Sequence, residues 1–270
     1  MENISLEKDK LESLYEHTIA LSRYARARQK NIKREFKSDG SVLTETDLYI
    51  SKEISKMIKK LFPFANVISE EEESEFNPES PYTFILDPID GTDVYSQGMP
   101  SFATALGILD KDRNPVGAII CAPRFGIGEE ELSIRLFPGE ECFINSEILV
   151  SGEKDDEIRQ IMMTSHDIAR YDFSAFDGKI RTIGSSILHI ISPVIFPQID
   201  AAITQPCYAW DIAASHAVLR HYGMDIFYSD GTGLEYSDDM LIGRKKCRGT
   251  TYSSTREKAY HLMRLVPFRP

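Results

Sequence analysis

Two carboxylates stand three residues apart in the segment FILDPIDGTD (84–93), at Asp87 and Asp90. The apolar run before Asp87 predicts a strand that delivers this carboxylate at its carboxyl end. Pro88 holds Asp87 extended, so a sharp turn is expected next, returning Asp90 to the same side and leaving the Ile89 carbonyl free to point inward. Gly91 permits close backbone approach, and Thr92 adds a hydroxyl and an amide N–H. Carboxylates, a carbonyl and exposed amides on one turn suit a hard divalent cation beside a phosphate. Other acids are placed to join them. Glu70 and Glu71 follow a predicted strand, Asp211 follows Trp210 at the head of a predicted helix, and Asp47 opens another. So many like charges together would leave at least one carboxyl protonated unless a cation were bound. Oxygen donors without a His/Cys cluster point to Mg2+, with Mn2+ or Ca2+ as alternatives, rather than zinc. Singly, each residue has a blander explanation: Asp-Gly as a turn, 70–73 as a solvated charge run, Asp211 as an N-cap. Their joint occurrence in this order favours chemistry.

The elements that must position these groups follow from periodicity. Leu11, Leu14, Tyr15, Thr18, Leu21, Ser22 and Ala25 recur at helical spacing and predict a long helix over the first ~35 residues. An Asp-Gly turn in 37–47 breaks the pattern, and a second helix is predicted over 46–61, with Thr44 or Thr46 as N-cap and Pro63 ending it. Short apolar runs predict strands at 66–69, 82–87, 103–109 and 115–121, with weaker signals at 132–137 and 147–151. Strand-like 161–164 and 179–183 then precede a helix at 185–196. Strand-like 200–204 precedes a helix at 211–221, and a last helix covers 254–265. This rhythm predicts an α/β protein with two coupled domains, 1–153 (α+β) and 154–270 (α/β).

Composition narrows the class. The 270 residues, 42% hydrophobic, are enough for a sizeable core. A net charge of -11 is the wrong balance for a general nucleic-acid binder, so no nucleic-acid polymer is expected as partner. No run approaches the ~18 apolar residues of a membrane span, and the first residues lack an apolar signal core. A cytoplasmic protein without a membrane partner is therefore expected. Cys121, Cys142, Cys207 and Cys247 are scattered without a CxxC pair and read as ordinary thiols. His216 and His221 are expected on a helix surface. Ser165, Ser185 and Ser186 lie outside any GxSxG elbow, which argues against a serine hydrolase.

DPIDGT (87–92), preceded by Glu70 and Glu71 and followed by Gly98, Met99, Pro100 and WDIAA (210–214), resembles the inositol monophosphatase family of Mg2+-dependent, lithium-sensitive phosphatases. Its superfamily includes fructose-1,6-bisphosphatases and 3'-nucleotide phosphatases. Weaker echoes are TETD (44–47), NSEILVS (145–151) and RTIGSS (181–186), so the resemblance covers roughly 37–223. It implies a layered α-β-α-β-α sandwich, commonly a homodimer, that hydrolyses a small phosphate ester such as an inositol monophosphate with activated water. Glu70, Asp87 and the Ile89 carbonyl are implied as ligands of one Mg2+, and Asp87, Asp90 and Asp211 as ligands of a second. Two or three Mg2+ per site are expected, with Li+ as an inhibitor. Gly91 and Thr92 are implied as phosphate contacts, and Asp47 with Thr92 as the pair that draws a proton from the attacking water. Ser165, Ser185 and Ser186 are expected to line the substrate pocket. Thr204 stands where inositol-selective relatives carry a Glu, so inositol 1-phosphate is expected to be a mediocre substrate. The alternatives are a fructose-1,6-bisphosphatase, a 3'-phosphonucleotide phosphatase, or a non-catalytic metal- or phosphate-binding regulator. Retention of Asp47, Glu70, Asp87, Asp90, Thr92 and Asp211 together argues against the last.

Overall fold

A computed structural model describes residues 6–38, 40–126, 128–152 and 157–269. The first helix, α1 (Lys8–Arg28), buries Leu11, Leu14, Thr18, Leu21 and Ala25 along one stripe. A two-stranded hairpin, β1 (Glu35–Phe36) and β2 (Val42–Leu43), leads into α2 (Glu45–Leu61). Thr44 caps α2 in a reciprocal capping box with Asp47, which fixes where the helix starts and how Asp47 is aimed.

The first sheet comprises β3 (Asn66–Ser69), β4 (Tyr82–Asp90), β5 (Ala103–Asp110), β6 (Pro115–Ala122), β7 (Leu132–Leu136), β8 (Cys142–Ile144) and β9 (Glu147–Ile148), with the short helix α3 (Thr92–Ser96) after β4. Its strands lie in chain order, parallel at β3–β4 and antiparallel elsewhere. The second sheet comprises β10 (Gln160–Met163), β11 (Lys179–Arg181), β12 (Ala201–Thr204), β13 (Asp225–Tyr228) and β14 (Thr251–Ser254) in the order β11-β10-β12-β14-β13. The remaining helices are α4 (Ser186–Ile195), α5 (Ala213–His221), α6 (Asp238–Leu241) and α7 (Arg256–Leu265).

These elements form five layers, α-β-α-β-α. Helices α1 and α2 cover one face of the first sheet around Leu14, Ile50, Ile54, Phe84 and Leu106. Helices α4 and α5 lie between the sheets, where Ile85, Ile120, Ile187, Ile191 and Val218 share one core. Helix α7 closes the far face over Ile161, Ile203 and Leu262. Both faces of the first sheet are covered, which is why β4, β5 and β6 read as continuous apolar runs rather than alternating ones. Helix α5 sits so close to β5 that a Cβ at Gly107 would meet the Ala213 Cβ at 2.5 Å.

Several expectations change. Helix α1 stops at Arg28, well before residue 35, because the Gln29 amide is drawn to the carbonyls of Tyr95 and Met99, and the chain is extended at Ile32. The weak signal at 147–151 yields only β9, and β8, β13, β14 and α6 appear where no element was expected. His216 is buried rather than surface-exposed: its ring nitrogens meet the Tyr236 hydroxyl at 3.1 Å and Asp225 at 2.7 Å. The expected boundary at 153/154 falls in 153–156, outside the described residues.

Candidate active site

Strand β4 delivers both central carboxylates, through a bulge instead of a sharp turn. Asp87 pairs with Ala105 and Asp90 with Ala103, so three steps on β4 oppose two on β5. That extra residue offsets the two-residue alternation of a strand and brings Asp90 to the side of Asp87. Thr104 donates to the Pro88 carbonyl at 2.8 Å and holds the bulge. Gly91 then turns the chain with φ at 85° in the left-handed region, where a Cβ would also press on the Gly184 carbonyl at 3.0 Å.

Asp211 arrives from the second sheet, in the turn before α5, where its Oδ2 accepts the Tyr208 N–H at 2.6 Å. It precedes the helix by two residues and is not its N-cap. Asp87, Asp90 and Asp211 each place one carboxylate oxygen within 4.8 Å of the others. The Asp87 Oδ1 is buried without a hydrogen-bond partner among the described residues. Burial and the charges of Glu70, Asp90, Asp211 and Asp47 push the Asp87 carboxyl far above its ordinary range. Burial, then Asp90 and Glu70, do the same to Asp211. Asp90 is pushed up to about 6 by burial, against the bonds it accepts from Ser185, Ser186 and Ile187. Hard oxygens, an orphaned buried acceptor and mutual repulsion fit a divalent cation of the Mg2+ type.

Glu70 stands beside this trio. Lys37 bridges it at 2.8 Å and Glu71 at 2.6 Å. Burial and Glu71 raise the Glu70 carboxyl to about 7 despite that ammonium. Arg244 fixes the Glu70 loop from outside, donating to the carbonyls of Ser69, Glu70 and Glu72 at 2.8–3.2 Å.

The side chains of Asp47 and Thr92 meet. One Asp47 oxygen is engaged by Thr44, whose N–H lies at 3.0 Å, and the other faces the Thr92 hydroxyl at 3.1 Å. That hydroxyl also reaches the Ile89 carbonyl at 2.8 Å, so the carbonyl has a partner. Its single proton can serve either acceptor. Burial lifts the Asp47 carboxyl to about 6, with Glu71 adding to the rise and the bonds from Thr44 and Thr92 opposing it.

The sequence model of the inositol monophosphatase family matches residues 11–263, nearly the whole chain. The chain belongs to this family. It is a phosphomonoester hydrolase. It is 26% identical over 207 residues to the Nus factor SuhB of Pasteurella multocida, covering 73% of this chain and 75% of that protein. It is 30% identical over 178 residues to the fructose-1,6-bisphosphatase of Pyrococcus furiosus, covering 64% and 65%. A solved IMPase/NADP phosphatase complexed with Mg2+ and phosphate shares the fold, with a TM-score of 0.74, 17% sequence identity, and 94% of both chains covered.

Within this family fold, a cavity of about 460 Å³ is walled by Asp211 of the trio, by Glu70 and by Arg244 and Lys246 from the segment after α6. Ser186 lines it. Ser185 does not: it is fully buried, caps α4, and gives its hydroxyl to Asp90. Ser165 opens a 3-10 turn after β10 and is not among the cavity walls. Thr204 is buried at the end of β12 with its hydroxyl unpartnered, and the next residue, Gln205, reaches the cavity. Lys37, Gln205, Tyr208, Arg244 and Lys246 are wall residues that sequence reasoning passed over. The one available signal was the run RKKCR (244–248), four cations in an acidic chain.

Proposed function

We propose that this chain hydrolyses a small phosphorylated alcohol, with Mg2+ bound by Asp87, Asp90 and Asp211 and by Glu70 and the Ile89 carbonyl at its edge. The single observation that carries this reading is the trio of carboxylates, Asp87 and Asp90 buried and Asp211 partly so, with an orphaned Asp87 oxygen, beside a cavity of substrate size. Mg2+ would supply Lewis acidity, making the attacking water acidic and neutralising charge on the leaving oxygen. Asp47 takes the water's proton through Thr92. The Thr92 hydroxyl donates to Asp47, which leaves its oxygen lone pairs to orient the water. Gly91 and Thr92 hold the phosphate through backbone N–H groups. Ser185 and the amides of Ser186 and Ile187 hold Asp90 in place.

On this reading, residues 1–153 carry most ligands, and 154–270 contribute Asp211 and much of the substrate wall. A cytoplasmic homodimer and inhibition by Li+ belong to the same reading, on family resemblance. Phosphate release from glycerol 2-phosphate is the test, with Mg2+ present or removed by chelation. Release only with Mg2+ supports the reading. Release unaffected by chelation, or none from any phosphate ester tried, would overturn it.

A further inference from the structure

The cavity that Asp211 and Glu70 border has a cationic, aromatic wall. Tyr208 and Trp210 stack with ring centroids 4.6 Å apart and planes 13° from parallel. The Arg244 guanidinium lies 4.9 Å from the Trp210 centroid, and the Lys246 ammonium 5.2 Å from that of Tyr208. The rings come from the segment between β12 and α5, and the cations from that between α6 and β14, where residues 244–248 carry four cations in a chain of net charge -11.

Their partners separate these four. Arg244 is occupied by three carbonyls of the Glu70 loop. Lys245 pairs with Asp239 at 2.9 Å, and Arg248 pairs with Asp230 at 2.8 Å. Lys246 has no carboxylate within ion-pair distance among the described residues, and it lines the same cavity as Asp211. On the opposite wall, Lys37 is engaged by Glu70 and Glu71. One ammonium at the cavity mouth is thus left for a ligand. A cation resting on an aromatic face keeps its N–H donors available for an anion in front of it.

We propose that Lys246, seated on Tyr208, is a specificity residue that binds a second anionic group of the substrate, so that the preferred ester carries a phosphate or carboxylate besides the phosphate being hydrolysed. The inference rests on the phosphatase reading above. A phosphorylated alcohol with a neutral remainder leaves Lys246 without a partner. A doubly anionic one spans from the acidic trio to the ammonium. A hydrogen bond between charged groups in such a site is expected to give a preference of roughly ten- to a hundredfold.

The test compares kcat/KM for glycerol 2-phosphate, 3-phosphoglycerate and fructose 1,6-bisphosphate in wild type, Lys246→Gln and Lys245→Gln. Wild type should favour one or both doubly anionic esters, and the better of the two tells carboxylate from phosphate. Lys246→Gln should lose that preference through KM, and stay within about twofold of wild type on glycerol 2-phosphate. Lys245→Gln removes the same charge one residue away and should change none of the three. An equal loss on all three esters in Lys246→Gln, or a wild-type preference for glycerol 2-phosphate, overturns the proposal. If wild type with Mg2+ hydrolyses no ester, the phosphatase reading falls by itself. Calorimetric titration of 3-phosphoglycerate then still reads the subsite, and equal affinities in wild type and Lys246→Gln overturn it.

Discussion

Two sets of acids withdrawn from solvent, wholly or in part, have opposite fates in this protein. Asp200, just before β12, is buried with Lys258, whose ammonium lies 2.8 Å from one carboxylate oxygen. The other oxygen accepts the N–H groups of Arg159 and Gln160 at 2.8 and 3.1 Å. Burial alone would raise this carboxyl, but Lys258 and the two amides outweigh it, and it is held below its ordinary value. Asp87, Asp90 and Asp211 have no cation in ion-pair contact among the described residues, and their carboxyls are pushed up. The first set is complete within the chain and ties the second sheet to α7. The second is completed only by something from outside. Buried charge without a partner is costly to keep, so it marks a place where stability is given up for binding.

The largest expected effect comes from breaking the incomplete set. Asp87→Asn removes a charged oxygen from the trio and should lower Mg2+-dependent kcat by at least ~10³. Because repulsion among the acids is relieved, the metal-free variant should melt no lower than wild type. A variant that keeps near-normal turnover at saturating Mg2+ would remove Asp87 from the ligand set, and one that merely unfolds would make it a structural acid.

The complete set should respond the other way. Asp200→Asn leaves the Lys258 ammonium buried without its carboxylate, and should cost about 3 kcal/mol in stability by denaturant titration. Turnover per folded molecule should be unchanged. Loss of activity at unchanged stability would break the contrast.

The acids that flank the incomplete set and the acid of the complete one also give opposite pH dependences. Asp47 and Glu70 titrate near 6 and 7 in the folded chain, above their ordinary values near 4. Between those limits the folded state binds more protons than the unfolded one, so the metal-free protein should lose stability as pH rises through that window. Asp200 is held low, so its contribution is present above the ordinary carboxylate value and lost as pH falls through it. Melting temperatures from about pH 4.5 to about pH 8 should fall for the chelated protein and level off or rise with Mg2+, which competes with protons for the same oxygens. Parallel curves with and without Mg2+ would contradict the assignment.

How much of this was legible in the sequence depends on the range of the interaction. Strand β4 and the acids it carries were readable, because an apolar run, a proline and a glycine act locally. The bulge that aligns Asp87 with Asp90 was not, since it is a property of pairing with β5. Arg244 holds carbonyls about 170 residues earlier in the chain, and no local pattern announces such a contact. His216 read as a surface residue because, five residues from His221, it shares no helix face with it, but Tyr236 and Asp225 satisfy it inside the core. Strand β14 was missed because buried Ser253 and Ser254 lack the apolar signature of a core strand.

The smallest expected effect concerns Thr204, which sequence alignment put at a substrate contact and which the fold buries at the end of β12. Its neighbours give it a structural surrounding: β14 runs antiparallel to it, with Thr204 opposite Thr251. The Thr204 hydroxyl has no partner among the described residues, so it carries an unmet desolvation cost. Thr204→Val keeps the shape, removes the hydroxyl, and retains the β-branched form that suits a strand. Stability should rise by about 1 kcal/mol, with kcat/KM within about twofold of wild type on every ester of the panel. A tenfold loss of kcat/KM on one ester at unchanged stability would mean that this hydroxyl reaches the substrate. Selectivity would then lie at Thr204 as well as at the Lys246 wall.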